Sequence, residues 1–147
     1  MTYSAGIFIF NNDNELLICH PTGGSWMKNW SIPKGMIDVN ETPKEAALRE
    51  TFEESNIDLS NEIDKIKYIG EQKYAKYNKT IIGFICKIEN INTLKCSSLI
   101  PLLDDKGRPN RNGGKPENDV VKFYSFKEAM KLLHEAQVKL IKNYLQR

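Results

Sequence analysis

Histidine and cysteine are scarce in this chain. The two histidines, His20 and His134, lie far apart, and the three cysteines, Cys19, Cys86 and Cys96, are odd in number with no pair at metal-ligand spacing. A disulfide framework and a cysteine zinc site are therefore not expected, and the thiols read as structural groups in a reducing compartment. Cys19 and Cys86 fall inside apolar runs, where a free thiol behaves as a small hydrophobe. An excess of one charge is also missing: 21 basic against 19 acidic side chains leave +2. That balance speaks against a dedicated nucleic-acid coat or a membrane-surface binder. No apolar run approaches a membrane span, and the start, MTYSAGIFIF, has neither the basic residues nor the cleavage site of a secretory signal. A cytoplasmic protein is expected, and 147 residues suit a single domain over 1–147.

What is present reads as strands interleaved with helices. YSAGIFIF and ELLICH flank NNDN and predict a hairpin over residues 3–20, followed by a loop, PTGGSWMKNW, and a short extended piece ending at Pro33. Residues 66–74 and 80–89 predict two strands joined by a turn at AKYNK. Residues 91–117 read as a long connection whose second half is rich in Gly, Pro, Asn and charge. DVVKFYSF predicts a further strand, and the apolar stripe from Phe126 to Tyr144 a terminal helix with its stripe toward the core. There is no internal repeat or low-complexity tract. The expected fold class is α/β, a mixed sheet covered by helices.

One segment carries chemistry. Thr42, Pro43 and Glu45 form an N-terminal signature for a helix from Pro43 to about Ser55. At 100° per residue, Ala47, Leu48, Thr51, Phe52 and Ser55 share one arc, while Glu50, Glu53 and Glu54 share the opposite one with Ala46 between them and Arg49 at its edge. Leu48 and Phe52 are expected to face the core. Like charges three and four residues apart cost about 0.2–0.5 kcal/mol per pair. A merely solvated acidic face is one reading; the other is a hard-oxygen site for Mg²⁺ or Mn²⁺, with small Ala46 leaving room.

The spacing extends upstream: Gly35, five residues, Glu41, seven residues, then Arg49-Glu50-Thr51-Phe52-Glu53-Glu54-Ser55-Asn56-Ile57. This resembles the Nudix box, G-x5-E-x7-R-E-U-x-E-E-x-G-U, the signature of the Nudix hydrolase family. Two positions depart from it: Thr51 stands where an aliphatic residue is usual, and Asn56 where the last glycine is usual. Asn is the non-glycine residue best suited to a left-handed helix end, so Asn56 is expected to close the helix with positive φ, and the same argument covers Asn40 before Glu41.

The resemblance implies an α/β/α sandwich and hydrolysis of a phosphoanhydride in a nucleoside diphosphate linked to another group. It implies Mg²⁺ or Mn²⁺ held by Glu50, Glu53 and Glu54 with the Gly35 carbonyl, Arg49 orienting a box glutamate, and Glu41 bridging to Arg49 or to the metal shell. Glu53 is the first candidate for general base and Glu117 the candidate outside the box, with an ordinary loop carboxylate as the alternative for Glu117. WSIPKG, Trp30 to Gly35, is similar to the stretch before the box in dinucleoside polyphosphate hydrolases and makes Lys34 a candidate phosphate contact. Tyr74 and Tyr77 are candidates to stack on a base, with packing on the core as their alternative, and Lys79 and Lys115 are further phosphate candidates. His20 and His134 read as structural or rim residues. The basic segment from Lys106 to Lys115 is a candidate to close over a polyphosphate or an RNA 5′ end. A dinucleoside polyphosphate such as diadenosine tetraphosphate is the leading substrate. An RNA 5′ end, ADP-ribose or a nucleotide sugar stay open, as does a non-catalytic nucleotide sensor.

Overall fold

The computed structural model describes residues 1–89, 94–97, 99–103, 106 and 109–147. Its strands are β1 (Thr2–Phe10), β2 (Leu16–Pro21), β3 (Lys34–Met36), β4 (Lys67–Lys73), β5 (Lys79–Lys87), β6 (Leu99–Leu103), β7 (Pro109–Pro116) and β8 (Asn118–Tyr124). The helices are α1 (Pro43–Ser55), α2 (Phe126–Leu132) and α3 (Glu135–Leu145), with a 3-10 turn at Ile63–Lys65. Six strands form one mixed sheet in the order β4-β5-β1-β2-β8, with β3 also paired to β1. β1 runs parallel to β5 and antiparallel to β2 and β3. The expected mixed α/β sheet is therefore present.

Strand alternation divides the core between the two faces of the sheet. Ala5, Ile7 and Ile9 of β1 join Phe84 and Cys86 of β5 against Ala46 and Ala47 of α1. Phe8 and Ile81 point the other way, against Ala129 of α2 and Leu140 and Ile141 of α3. Gly6 lets β1 and β3 approach: a Cβ there would lie 2.6 Å from the Pro33 carbonyl oxygen. No described helix is long and apolar enough to cross a membrane.

α1 begins and ends where the sequence places it. Thr42 and Glu45 form a reciprocal capping box, and Asn56 closes the helix at φ 68°. Asn40 is likewise left-handed at φ 66°.

Three expectations are corrected. Phe52 does not face the core; it is 47% exposed, and the buried positions of α1 are Ala46, Ala47, Thr51, Glu54 and Ser55. Two small alanines let α1 sit close on the sheet, and Glu54 turns inward because it has polar partners there, so the inward face is rotated from the one that apolar side chains alone suggest. Residues 91–117 are not simply a connection, because β6 and β7 pair antiparallel within them. Their composition hid this: Pro101 sits at a register shift, and the Gly- and Pro-rich β7 shows no apolar alternation. Of the basic segment Lys106 to Lys115, residues 107 and 108 lie outside the described residues. The terminal helix is broken into α2 and α3 at Leu133, which is extended at ψ 152°. The break holds the Trp30 backbone, whose N–H donates to Leu132 O and whose carbonyl accepts from His134 N–H, each at 3.0 Å.

Candidate active site

Arg49 is the hub of the acidic segment. Its Nε donates to Glu41 Oε2 at 2.8 Å and its Nη2 to Glu41 Oε1 at 3.0 Å, a bidentate pair reaching back across the loop before α1. Nη1 donates to Glu50 Oε1 at 2.8 Å and more distantly to Glu53 Oε2 at 3.4 Å, while Nη2 also reaches the Met36 carbonyl at 3.1 Å. The hydrogen bonds from Arg49 hold the Glu41 carboxyl below the usual range. In turn, Glu41 and Glu50, accepting these bonds, raise the pKa of the guanidinium and hold it charged.

Glu54 occupies the buried side of the helix. Its Oε2 accepts from the Lys34 backbone N–H at 2.8 Å and its Oε1 from Asn118 Nδ2 at 3.0 Å. Burial above all, then the nearby Glu50 charge, push its pKa up to about 8, against the lowering effect of the Asn118 hydrogen bond. Burial and Glu50 also raise the Glu53 carboxyl. Glu50 lies against Gly35, where any Cβ would collide with its carboxylate.

The donor chemistry fits a divalent ion. Glu50 lies against the side-chain-free Gly35, Glu54 accepts from the adjoining Lys34 N–H, Glu53 shares Arg49 with Glu50, and the raised pKa of Glu54 marks a buried carboxyl whose charged form a bound cation would stabilise. The carboxylates are turned onto Arg49, Asn118 and the Lys34 backbone, and among the described residues no three acidic, His or Cys side chains already surround one point.

A cavity of about 530 Å³ opens beside this cluster. Gly35 and Glu54 line it together with Lys34, Tyr74, Tyr77, Lys79 and Glu117, so candidates more than eighty positions apart in sequence share one space. Glu41, Arg49, Glu50 and Glu53 are not among its lining side chains, and neither is Lys115, exposed on β7. The two tyrosines differ. Tyr74 is buried, with its hydroxyl accepting from Gln137 Nε2 at 3.1 Å, whereas Tyr77 is 54% exposed with the Lys79 ammonium 5.5 Å from its ring centre.

Two positions at the candidate site escaped the sequence reading. Asn118 opens β8, and nothing in its local pattern points to Glu54, 64 residues earlier. Gln137, 1% exposed on α3, accepts from Ile32 N–H at 3.0 Å and donates to Ser31 Oγ at 3.0 Å, holding the segment that leads to Lys34. A polar residue in an otherwise apolar helical stripe was the available signal. His20 is wholly buried, stacked on Trp26 at 3.6 Å between ring centres, with Nδ1 2.5 Å from Asp119. It anchors the loop after β2, and His134 precedes α3.

The family model for the NUDIX domain matches residues 1–144. The chain belongs to the Nudix family. An RNA pyrophosphohydrolase from Bartonella henselae is 35% identical over 71 residues, covering 44% of this chain and 41% of that protein. An NAD-capped RNA hydrolase from Vibrio atlanticus is 32% identical over 80 residues, covering 54% of this chain and 28% of that protein. The chain thus matches less than half the length of these curated relatives. Among solved structures, an Ap4A hydrolase binary complex from Caenorhabditis elegans superposes with a TM-score of 0.68 at 19% identity, covering 97% of this chain and 96% of that one. That likeness shows the Nudix fold. Nudix hydrolases in general use a divalent metal ion.

Proposed function

We propose that this Nudix chain is a divalent-metal-dependent pyrophosphohydrolase acting on a nucleoside diphosphate linked to another group. The observation that carries the reading is the cavity shared by Gly35 and Glu54 with Lys34, Lys79 and Tyr77: acidic and cationic groups facing one space beside the carboxylate cluster. Glu50, Glu53 and Glu54 would hold Mg²⁺ or Mn²⁺ with the Gly35 carbonyl. When bound, the ion supplies charge neutralisation at the phosphates and lowers the pKa of attacking water.

The protein's own groups do the rest. Arg49 fixes Glu50 and, through the Met36 carbonyl, the end of β3 that carries Gly35, while Glu41 ties the loop that follows. Lys34 and Lys79 bind phosphate oxygens, and Tyr77 offers an exposed ring to a base. Glu53, whose carboxylate among the described residues has only a 3.4 Å contact with Arg49, is the first candidate to take the proton of water. Glu117, in the cavity wall, is the second candidate for that role.

The WSIPKG stretch supports a dinucleoside polyphosphate. An RNA 5′ end is the second reading, supported by the RNA-acting relatives and by a lysine-lined groove that adjoins the cavity. Retention of every box glutamate speaks for hydrolysis over nucleotide sensing.

The test is to incubate the protein with Mg²⁺ or Mn²⁺ and diadenosine tetraphosphate, ADP-ribose, a nucleotide sugar and triphosphorylated RNA, and to identify products. Glu53→Gln should lower turnover by about 10²-fold or more with the fold intact. Tight nucleotide binding without turnover of any substrate would overturn the enzyme reading in favour of a sensor.

A further inference from the structure

A second groove, of about 550 Å³, adjoins the cavity, and Asn29, Tyr77 and His134 line both. Among the described residues, five lysines line it, Lys28, Lys73, Lys76, Lys131 and Lys139, against a single carboxylate, Glu135. All five are exposed. They come from separate parts of the fold: Lys28 from the loop after β2, Lys73 and Lys76 from the end of β4 and its turn, Lys131 from α2 and Lys139 from α3. The whole chain carries only +2, so this groove concentrates a positive charge that its composition does not require. The amino end of α3 opens here too, adding the positive end of an eleven-residue helix.

From this geometry we infer that the groove binds the single-stranded RNA that follows a 5′ nucleotide seated in the cavity. The inference rests on the nucleotide-hydrolase reading and names its substrate class. Charge decides between the candidates. The far nucleoside of a dinucleoside polyphosphate is uncharged and would leave the lysines unmatched, whereas a polynucleotide brings one phosphate per residue along the groove. Tyr77, between the two spaces, stands where the first base passes from one to the other. His134 lies there as well, and its Nδ1 is buried without a hydrogen-bond partner among the described residues.

The test measures binding by fluorescence anisotropy in EDTA, so that it does not depend on turnover. The probes are a 5′-triphosphorylated single-stranded RNA of about 12 nucleotides, the corresponding triphosphorylated dinucleotide, and poly-glutamate of matched charge. The longer RNA should bind at least about tenfold more tightly than the dinucleotide, with a steeper salt dependence. The variant Lys73→Gln/Lys76→Gln/Lys131→Gln/Lys139→Gln should remove that advantage, lower the salt slope by roughly 0.7 for each phosphate that is no longer neutralised, and bind the dinucleotide as before. Equal affinity for both RNAs, an unaffected variant, or poly-glutamate binding as tightly as the RNA, the behaviour of a surface for acidic proteins, would each overturn the inference. A protein that shows the length-dependent binding but, with Mg²⁺ or Mn²⁺, hydrolyses neither RNA nor diadenosine tetraphosphate, ADP-ribose or a nucleotide sugar would uphold the groove while removing the hydrolase reading.

Discussion

Asn118 Nδ2 donates to Glu54 Oε1 at 3.0 Å, tying the first residue of β8 to the last turn of α1. The contact fixes the most buried carboxylate of the Nudix box from outside the box. Replacing Asn118 with Ala removes a donor to an inward-facing carboxyl and leaves a buried acceptor unsatisfied, a loss of about 1–3 kcal/mol. Asn118→Ala should lower both thermal stability and Mn²⁺ affinity, the latter measured by calorimetry. Unchanged Mn²⁺ binding would show that Glu54 needs no such anchor.

Gly35→Ala should leave the fold largely intact while costing about 10²-fold or more in turnover. The nearest atoms the added methyl meets are the end of the Glu50 side chain, which can swing away, but in doing so Glu50 gives up its 2.8 Å hydrogen bond with Arg49. Circular dichroism and steady-state rates together check this. A collapse of the fold with no separable loss of turnover would count against it.

Thr51→Val should stabilise the protein. Thr51 is wholly buried, and its Oγ1 has no hydrogen-bond partner among the described residues. Valine has the same shape without the hydroxyl, whose unsatisfied burial costs about 1–3 kcal/mol. A gain near 1 kcal/mol would raise Tm by roughly 2–4 °C in a chain of this size, with turnover unchanged. A fall in Tm would mean that the hydroxyl contributes to the native state.

Asn56→Ala should cost about 1–2 kcal/mol, because alanine must take the left-handed conformation at φ 68° that ends α1. Asn56→Gly, free of that penalty, should be the more stable of the two variants. Urea denaturation of the pair decides it, and equal midpoints would contradict the backbone account.

Several of these features were legible along the chain because they are local. The capping box of Thr42 and Glu45 and the left-handed turns at Asn40 and Asn56 depend on neighbours within a few residues, and all stand where the sequence places them. The strands β1, β2, β4, β5 and β8 announce themselves by β-branched and aromatic content. β7 does not, because its pairing rests on backbone hydrogen bonds to β6 and its side chains carry no alternation. The break at Leu133 has no Pro or Gly to mark it, since its cause is the docking of Trp30 from a hundred residues away.

By itself, then, the sequence determined the α/β class, the bounds of α1 and the identity of the acidic cluster, all of which follow from spacing along the chain. Tertiary structure alone decided which glutamate is buried, since α1 turns Glu54 inward and leaves Phe52 half exposed. It also decided what meets that glutamate: Asn118 and the Lys34 backbone, brought from β8 and β3 by sheet pairing. The physical reason is common to these cases. Helix periodicity orders side chains around one axis, but the direction of that axis toward the sheet is set by the closest packing of Ala46 and Ala47 and by the polar partners waiting on the other side.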